Sequence, residues 1–347
     1  MERRAFLGGL GGAALALEAA RHGLSLSFAE ERAEAAVDEW QAIIDEYGYA
    51  YQTSAPAELL DRLMVDVLGI QYAISRRPND AAMRELRRVA ALLASFTAMT
   101  VANLGDLRES RRWWRTARRA SDASGDIAAS VWVRGREVVR AVYEQRPASA
   151  ILQQAQEAEA LGSAPPTAAL PELVSGKAQA LAVVGRENDA EEALDDFRKI
   201  ISDLPATTTS DKDSLFGWPE ERLRFTESFV YSHLGEYDKA DAAQRRALAL
   251  YPASYPRGPA QIELQRALCL VSCGDVSAGV EHALNIMAGL PAEHRVRPVV
   301  DLGHKVLQAI PATEGSQPGV ARFREYLALP PGSAQPGLPA VRRTQPT

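Results

Sequence analysis

Cysteine is almost missing from this chain: of 347 residues, only Cys269 and Cys273 carry a thiol. Two thiols cannot frame a domain of this size, which excludes a disulfide-stapled scaffold. They stand four apart on a helical stretch, and the five histidines fall into no ligand spacing with them. Both are read as small core-facing side chains, and no metal or cofactor is expected. Positive charge is also in deficit, with 39 Lys and Arg against 45 Asp and Glu for a net charge of -6. The molecule as a whole is therefore not built to condense on a phosphate backbone. Strand signals are absent, since no sustained two-residue alternation and no Asn-Gly or Asp-Gly turn joins apolar runs.

Catalytic signatures are lacking as well. There is no G-x-S-x-G elbow, no H-E-x-x-H and no phosphate loop ending in Gly-Lys-Ser/Thr. Gly9, Gly11 and Ala14 fit the loosest dinucleotide spacing, but that motif works only between a strand and a crossover helix, and neither is expected. The carboxylate pairs Glu191–Glu192 and Asp195–Asp196 lie on exposed helix positions, where nothing local shifts a pKa. The chain is not expected to be an enzyme.

What is present is helical periodicity throughout, and the expected fold class is all-α. In residues 31–51, Ala33, Ala36, Val37, Trp40, Ile43, Ile44, Tyr47 and Tyr51 recur at steps of three and four. Ser54 and Pro56 open a second helix, carried by Leu59, Leu60, Leu63, Val67, Ile70 and Ile74. Asn79 or Asp80 then caps a third. From there four stretches align: NLGDLRESRRWWRTARRA, VVGRENDAEEALDDFRKII, HLGEYDKADAAQRRALALYP and SCGDVSAGVEHALNIMAGLP. Each places a glycine at a tight turn (Gly105, Gly185, Gly235, Gly274) and a small residue five positions on (Ser110, Ala190, Ala240, Gly279). Glycine supplies the left-handed conformation that ends one helix, and the small residue lets the next lie close.

This pattern resembles the tetratricopeptide repeat, a helix–turn–helix unit of about 34 residues. The best copy, FTESFVYSHLGEYDKADAAQRRALALYP, carries Tyr231, Gly235, Tyr237, Ala240, Ala247 and Pro252 at the family's relative positions. The segment SDLPATTTSDKDSLFGWPEE is read as a loop interrupting the array. The resemblance implies a tetratricopeptide-like α-solenoid of antiparallel helix pairs whose first helices line an inner groove. The groove candidates by register are Asn103, Arg136, Arg140, Gln179, Arg222, Phe225, Phe229, His233 and Gln261. Amides there would hold a peptide backbone and arginines its carboxylates.

The sharpest charge feature is LRESRRWWRTARR. At 100° per residue, Arg108, Arg111, Arg112, Arg115, Arg118 and Arg119 share one arc of roughly 120°. Trp114 and Ala117 fall outside it, placed to pack on the preceding helix. The stripe is read as a solvated outer face paired to neighbouring carboxylates, with an anion- or nucleic-acid-binding face as the alternative.

The opening RRAFLGGLGGAALA is similar to a twin-arginine export signal. Glu18 cuts its apolar run short, no A-x-A cleavage site follows, and about fifteen residues at about 1.5 Å each are too few to span a bilayer. No membrane association is expected. Together with WQAIIDEYGYAYQTSAPAELLDRLMVDV and NLGDLRESRRWWRTARRASDASGD, this segment resembles the C-terminal regions of Xre-type helix-turn-helix transcriptional regulators that carry tetratricopeptide repeats. The resemblance implies a cytoplasmic sensor or dimerisation module. Its expected partner is a peptide, a protein segment or a second copy of the chain. The stretch matching RRAFLGG follows the DNA-binding domain in that family, so no recognition helix is carried over and direct DNA recognition is not expected. The alternative is a repeat protein exported by the twin-arginine route. The expected organisation is a linker or signal-like segment over 1–28, a helical pair over 29–78, repeats over 79–310, a terminal helix over 311–329 and a disordered tail over 330–347.

Overall fold

The computed structural model describes residues 33–76, 79–161, 169–252 and 254–328. The arginine–glycine opening segment and the proline-rich tail lie outside the described residues. Among those described there is no strand, and the chain is all-α with fifteen α-helices. In order these are α1 (Ala33–Thr53), α2 (Pro56–Ser75), α3 (Asp80–Asn103), α4 (Leu107–Ser124), α5 (Ile127–Tyr143), α6 (Ala148–Glu159), α7 (Leu170–Val183) and α8 (Glu187–Ser202). They continue with the single turn α9 (Ala206–Thr209), then α10 (Glu220–Leu234), α11 (Tyr237–Leu250), α12 (Arg257–Ser272), α13 (Val276–Gly289), α14 (Arg297–Gln308) and α15 (Pro318–Ala328).

The helix ends follow local chemistry. Asn79 caps α3, its side-chain oxygen accepting from the Ala82 amide. A recurrent Gly-Asp pair makes three of the interhelical turns. Gly105, Gly125 and Gly274 take positive φ values of 99°, 74° and 94°, and the aspartate after each accepts from a backbone amide of the next helix. Gly125 performs this role although the aligned repeats do not include it. Five positions after the aligned turn glycines, Ser110, Ala190 and Ala240 are fully buried. At Gly279 a Cβ would sit 2.6 Å from Val271 Cγ2, so that helix pair is close because the side chain is absent.

The chain forms two compact units, and their boundary falls inside the stretch read as one repeat array. The first takes the described residues up to Leu181 together with Asn188–Pro219; the second takes Ala182–Glu187 and everything from Glu220. Within each, helices touch the next in sequence and the next but one, a helical-repeat, solenoid-like order. In the first unit α3 is the spine, touching α1, α2, α4 and α5, and its C-terminal half is buried without interruption from Ala91 to Asn103. Gly135 and Gly176 bring α5 and α7 to backbone contact, since a Cβ on Gly135 would lie 2.7 Å from the Leu173 nitrogen. In the second unit, α12 to α15 enclose an apolar core that includes Leu264, Val280, Leu284, Val299, Val306 and Phe323.

Candidate functional site

The inner face of the first unit is closed by its own chain. Of the groove candidates there, Asn103, Arg140 and Gln179 are buried, and Arg136 keeps only 11% of its side chain exposed. Two of them meet directly: Arg140 donates to Asn103 Oδ1 at 3.0 Å, and Asn103 donates to the Tyr51 hydroxyl at 3.3 Å, while Gln179 Oε1 is buried without a hydrogen-bond partner among the described residues. Arg136 donates to Glu172 at 3.0 Å and reaches the Met99 sulfur at 3.2 Å. Burial works against the Arg136 cation, but the fully buried Glu172 carboxylate outweighs it and holds the guanidinium's pKa above its ordinary value. These side chains tie α1, α3, α5 and α7 together rather than facing an open groove.

The segment after α8 is not a mere interruption between repeats. Asp211 Oδ1 accepts from the Asp213 and Ser214 amides, Ser214 Oγ accepts from the Phe216 amide, and Trp218 donates its amide to Thr208 at 2.9 Å. The turn so formed is tight enough that a Cβ on Gly217 would lie 2.0 Å from the Asp211 carbonyl oxygen. It delivers Leu215, whose amide donates to Gly48 of α1 at 3.0 Å. Phe216 then stands edge-on to Phe96 with ring centroids 6.0 Å apart, and 5.2 Å from Trp132. Trp218 meets Phe197 edge-on at 5.5 Å. Leu215 and Trp218 are both buried. The sequence signal was the apolar run LFGW inside an otherwise polar loop.

The inner helices of the second unit are less enclosed. Arg222, Phe225, His233 and Gln261 are half-buried, whereas Phe229 is buried and forms the floor beneath His233. The two rings stack with centroids 4.0 Å apart, and His233 Nδ1 lies 2.8 Å from the Phe229 carbonyl oxygen. Lys305 of α14 approaches from the other side. Its ammonium is 3.4 Å from His233 Nε2 and 5.7 Å from the centre of the Phe229 ring. Burial and the neighbouring Lys305 charge push the His233 pKa down to about 4, so the imidazole is neutral at physiological pH. The matching tautomer donates from Nδ1 to Phe229 and accepts at Nε2 from Lys305. Burial lowers the Lys305 pKa in turn, with Asp301 opposing. Among the described residues no carboxylate lies within ion-pair distance of Lys305.

The arginine arc on α4 is exposed as its periodicity predicts, with one departure. Arg108, Arg111, Arg112, Arg115 and Arg119 are exposed, while Arg118 is half-buried and pairs with the buried Glu137 of α5. Arg112 pairs with Glu109 at 3.1 Å. The other four make no ion pair among the described residues, so the expectation of a broadly paired face is corrected. Trp114 and Ala117 are fully buried as expected, and Trp113 is half-buried.

The cysteines divide. Cys269 is buried and donates to Ser232 Oγ at 3.3 Å, but Cys273 is exposed, because it caps the C-terminus of α12 and does not face its core side. No cluster of three or more metal-ligating side chains occurs among the described residues, and no described helix is long and apolar enough to cross a membrane. The chain matches no family model, no curated protein and no solved structure.

Proposed function

We propose that this protein is a regulatory, non-enzymatic helical-repeat module that binds a peptide or protein segment on the inner face of its second unit. The observation that carries this reading is the Lys305 cation, set against a neutral histidine and an aromatic ring, with no carboxylate within ion-pair distance among the described residues and Asp301 acting only from further off. A half-buried ammonium in that setting gains most from an anion supplied by a ligand. Phe225, one turn before Phe229 on α10, offers an apolar contact, and the half-buried Gln261 offers an amide for a peptide carbonyl. The favoured ligand is an extended peptide carrying an acidic side chain or a free C-terminus. The likeness of the opening segment and the repeats to Xre-type regulators supports a role in regulation, and a tetratricopeptide-like stack suits a module that holds a partner.

The reading is tested by selecting random peptides on the purified chain and measuring affinities by fluorescence polarisation. Acidic peptides are expected to emerge, and Lys305→Ala or Phe225→Ala should weaken them about tenfold or more, the effect expected of truncating an anchor in a small interface. Selected peptides that bind both variants as well as the parent would overturn it.

A further inference from the structure

A second surface lies entirely within the first unit. Helices α2 and α4 flank an open slot of about 410 Å³ whose floor is Ala90 and Ala94 of α3. Val67, Ile70 and Ile74 form one wall, and Trp113 with Thr116 the other. Alanines on the spine helix leave the slot empty, as larger side chains there would fill it. Beside it, α2 exposes Met64, Leu68 and Tyr72, at 38%, 48% and 38% of their surfaces. Their four-residue spacing makes them one ridge along the helix. The charged edge is on the other side. Glu109, Arg112, Trp113 and Thr116 point into the slot, and at 100° per residue Arg108, Arg115 and Arg119 project just beyond Arg112 on the outer rim.

We propose that this slot and its arginine rim are a docking surface for an acidic amphipathic helix of a partner protein. An apolar slot alone does not name an occupant, but the rim does. Arg108, Arg115 and Arg119 make no ion pair among the described residues, in a chain whose net charge is -6. Local positive charge that the fold leaves unneutralised attracts a complementary anionic face. The lining residues Val67 to Ile74 and Glu109 to Thr116 each cover two turns, about 10 Å at about 1.5 Å per residue. A helix laid there inserts apolar residues at i, i+3/i+4 and i+7 and presents acidic residues on its flank to arginines at the same spacing. A phosphate backbone would use the rim but leave the slot and the Met64–Leu68–Tyr72 ridge uncovered. A lipid surface could not enter the slot.

The probe is a fluorescein-labelled amphipathic peptide of roughly 18 residues, about five turns, with leucines at the inserting positions and glutamates on the flank. Two matched controls carry lysine for glutamate, or alanine for leucine. Of the five tryptophans, Trp40, Trp114, Trp132 and Trp218 are buried and only Trp113 is half-exposed, so acrylamide quenching reports this slot. The glutamate peptide is expected to bind the full chain and protect Trp113, with both controls roughly tenfold weaker or worse, and its binding should weaken as salt rises. Arg108→Glu with Arg115→Glu should reverse the preference between glutamate and lysine peptides. Ala90→Leu, which fills the slot from a half-buried position, should weaken the glutamate peptide while leaving the helical circular dichroism unchanged. Equal binding of the glutamate and lysine peptides would overturn the proposal, as would indifference to Ala90→Leu. Arginine-dependent binding of duplex DNA or of phosphatidylserine vesicles, without binding of the peptide, would overturn it too.

Discussion

The ring of Phe216 rests 5.2 Å from that of Trp132, although one belongs to a loop between helices and the other to the inner helix α5. This contact decides what the first unit can do. Its inner face is a finished core, which is why the two docking surfaces proposed above lie elsewhere, on the half-open inner face of the second unit and in the outer slot between α2 and α4.

Truncating Phe216 should therefore behave as a core mutation. Phe216→Ala is expected to cost about 2–3 kcal/mol in urea denaturation, below the about 3–5 kcal/mol of a fully buried phenylalanine because the ring is half-buried. Hydrogen exchange at the Leu215 amide, which bonds to Gly48, should quicken in the same variant. A midpoint identical to the parent's would mean that the segment is not seated on α1, α3 and α5 in solution.

The Arg136–Glu172 pair supplies a second test. Glu172 is fully buried, and its removal strands a cation between α3, α5 and α7. Glu172→Ala is expected to destabilise by about 3–5 kcal/mol, while Arg136→Met combined with Glu172→Leu should recover most of that loss, since an apolar pair needs no desolvation of charge. Urea midpoints of the single and double variants measure the difference. A double variant as unstable as Glu172→Ala would show that the pair does more than neutralise itself.

His233 makes stability depend on pH in the mildly acidic range. Its folded pKa, near 4, lies below the ordinary 6.5, so between those values the unfolded chain binds the proton first. Stability from this residue is thus full above pH 6.5 and falls as pH drops towards 4, by less than about 3 kcal/mol because the ring is half-buried. His233→Gln should flatten the fall between pH 6.5 and 4 in chemical denaturation, and an unchanged slope would remove the histidine from the account.

What could be read from the sequence was whatever depends on near neighbours. Turn glycines and the small residues five positions on act within one helix pair, so Gly105–Ser110 and Gly235–Ala240 stood out. The arginine arc followed from helical pitch alone. Gly125–Asp126 carries the same turn signal but lies outside the four aligned stretches. Positions that depend on distant chain were not legible. Asn103 and Arg140 fall on the inner side of their helices, as their register says, but whether that side is open or filled depends on distant chain such as Tyr51 of α1, which accepts from Asn103. Lys305 was invisible for the same reason, since nothing near it in sequence announces that α14 will set it against His233.

The bond from Leu215 to Gly48 also has a consequence for the order in which the chain folds. A repeat stack whose contacts are all between neighbours can consolidate progressively from its first helix as it is synthesised. Here α1 to α8 can form and stack, but their inner aromatic cluster closes only after residues 215–218 have emerged. Until then Phe96 and Trp132 lack their covering ring. The first unit is therefore a late-completing domain despite its N-terminal position, with the slow search of a long loop closure built into it. Chains cut anywhere between α8 and Pro219 should hold their helices yet expose a hydrophobic face, which makes that short stretch the point where synthesis passes from aggregation-prone to stable.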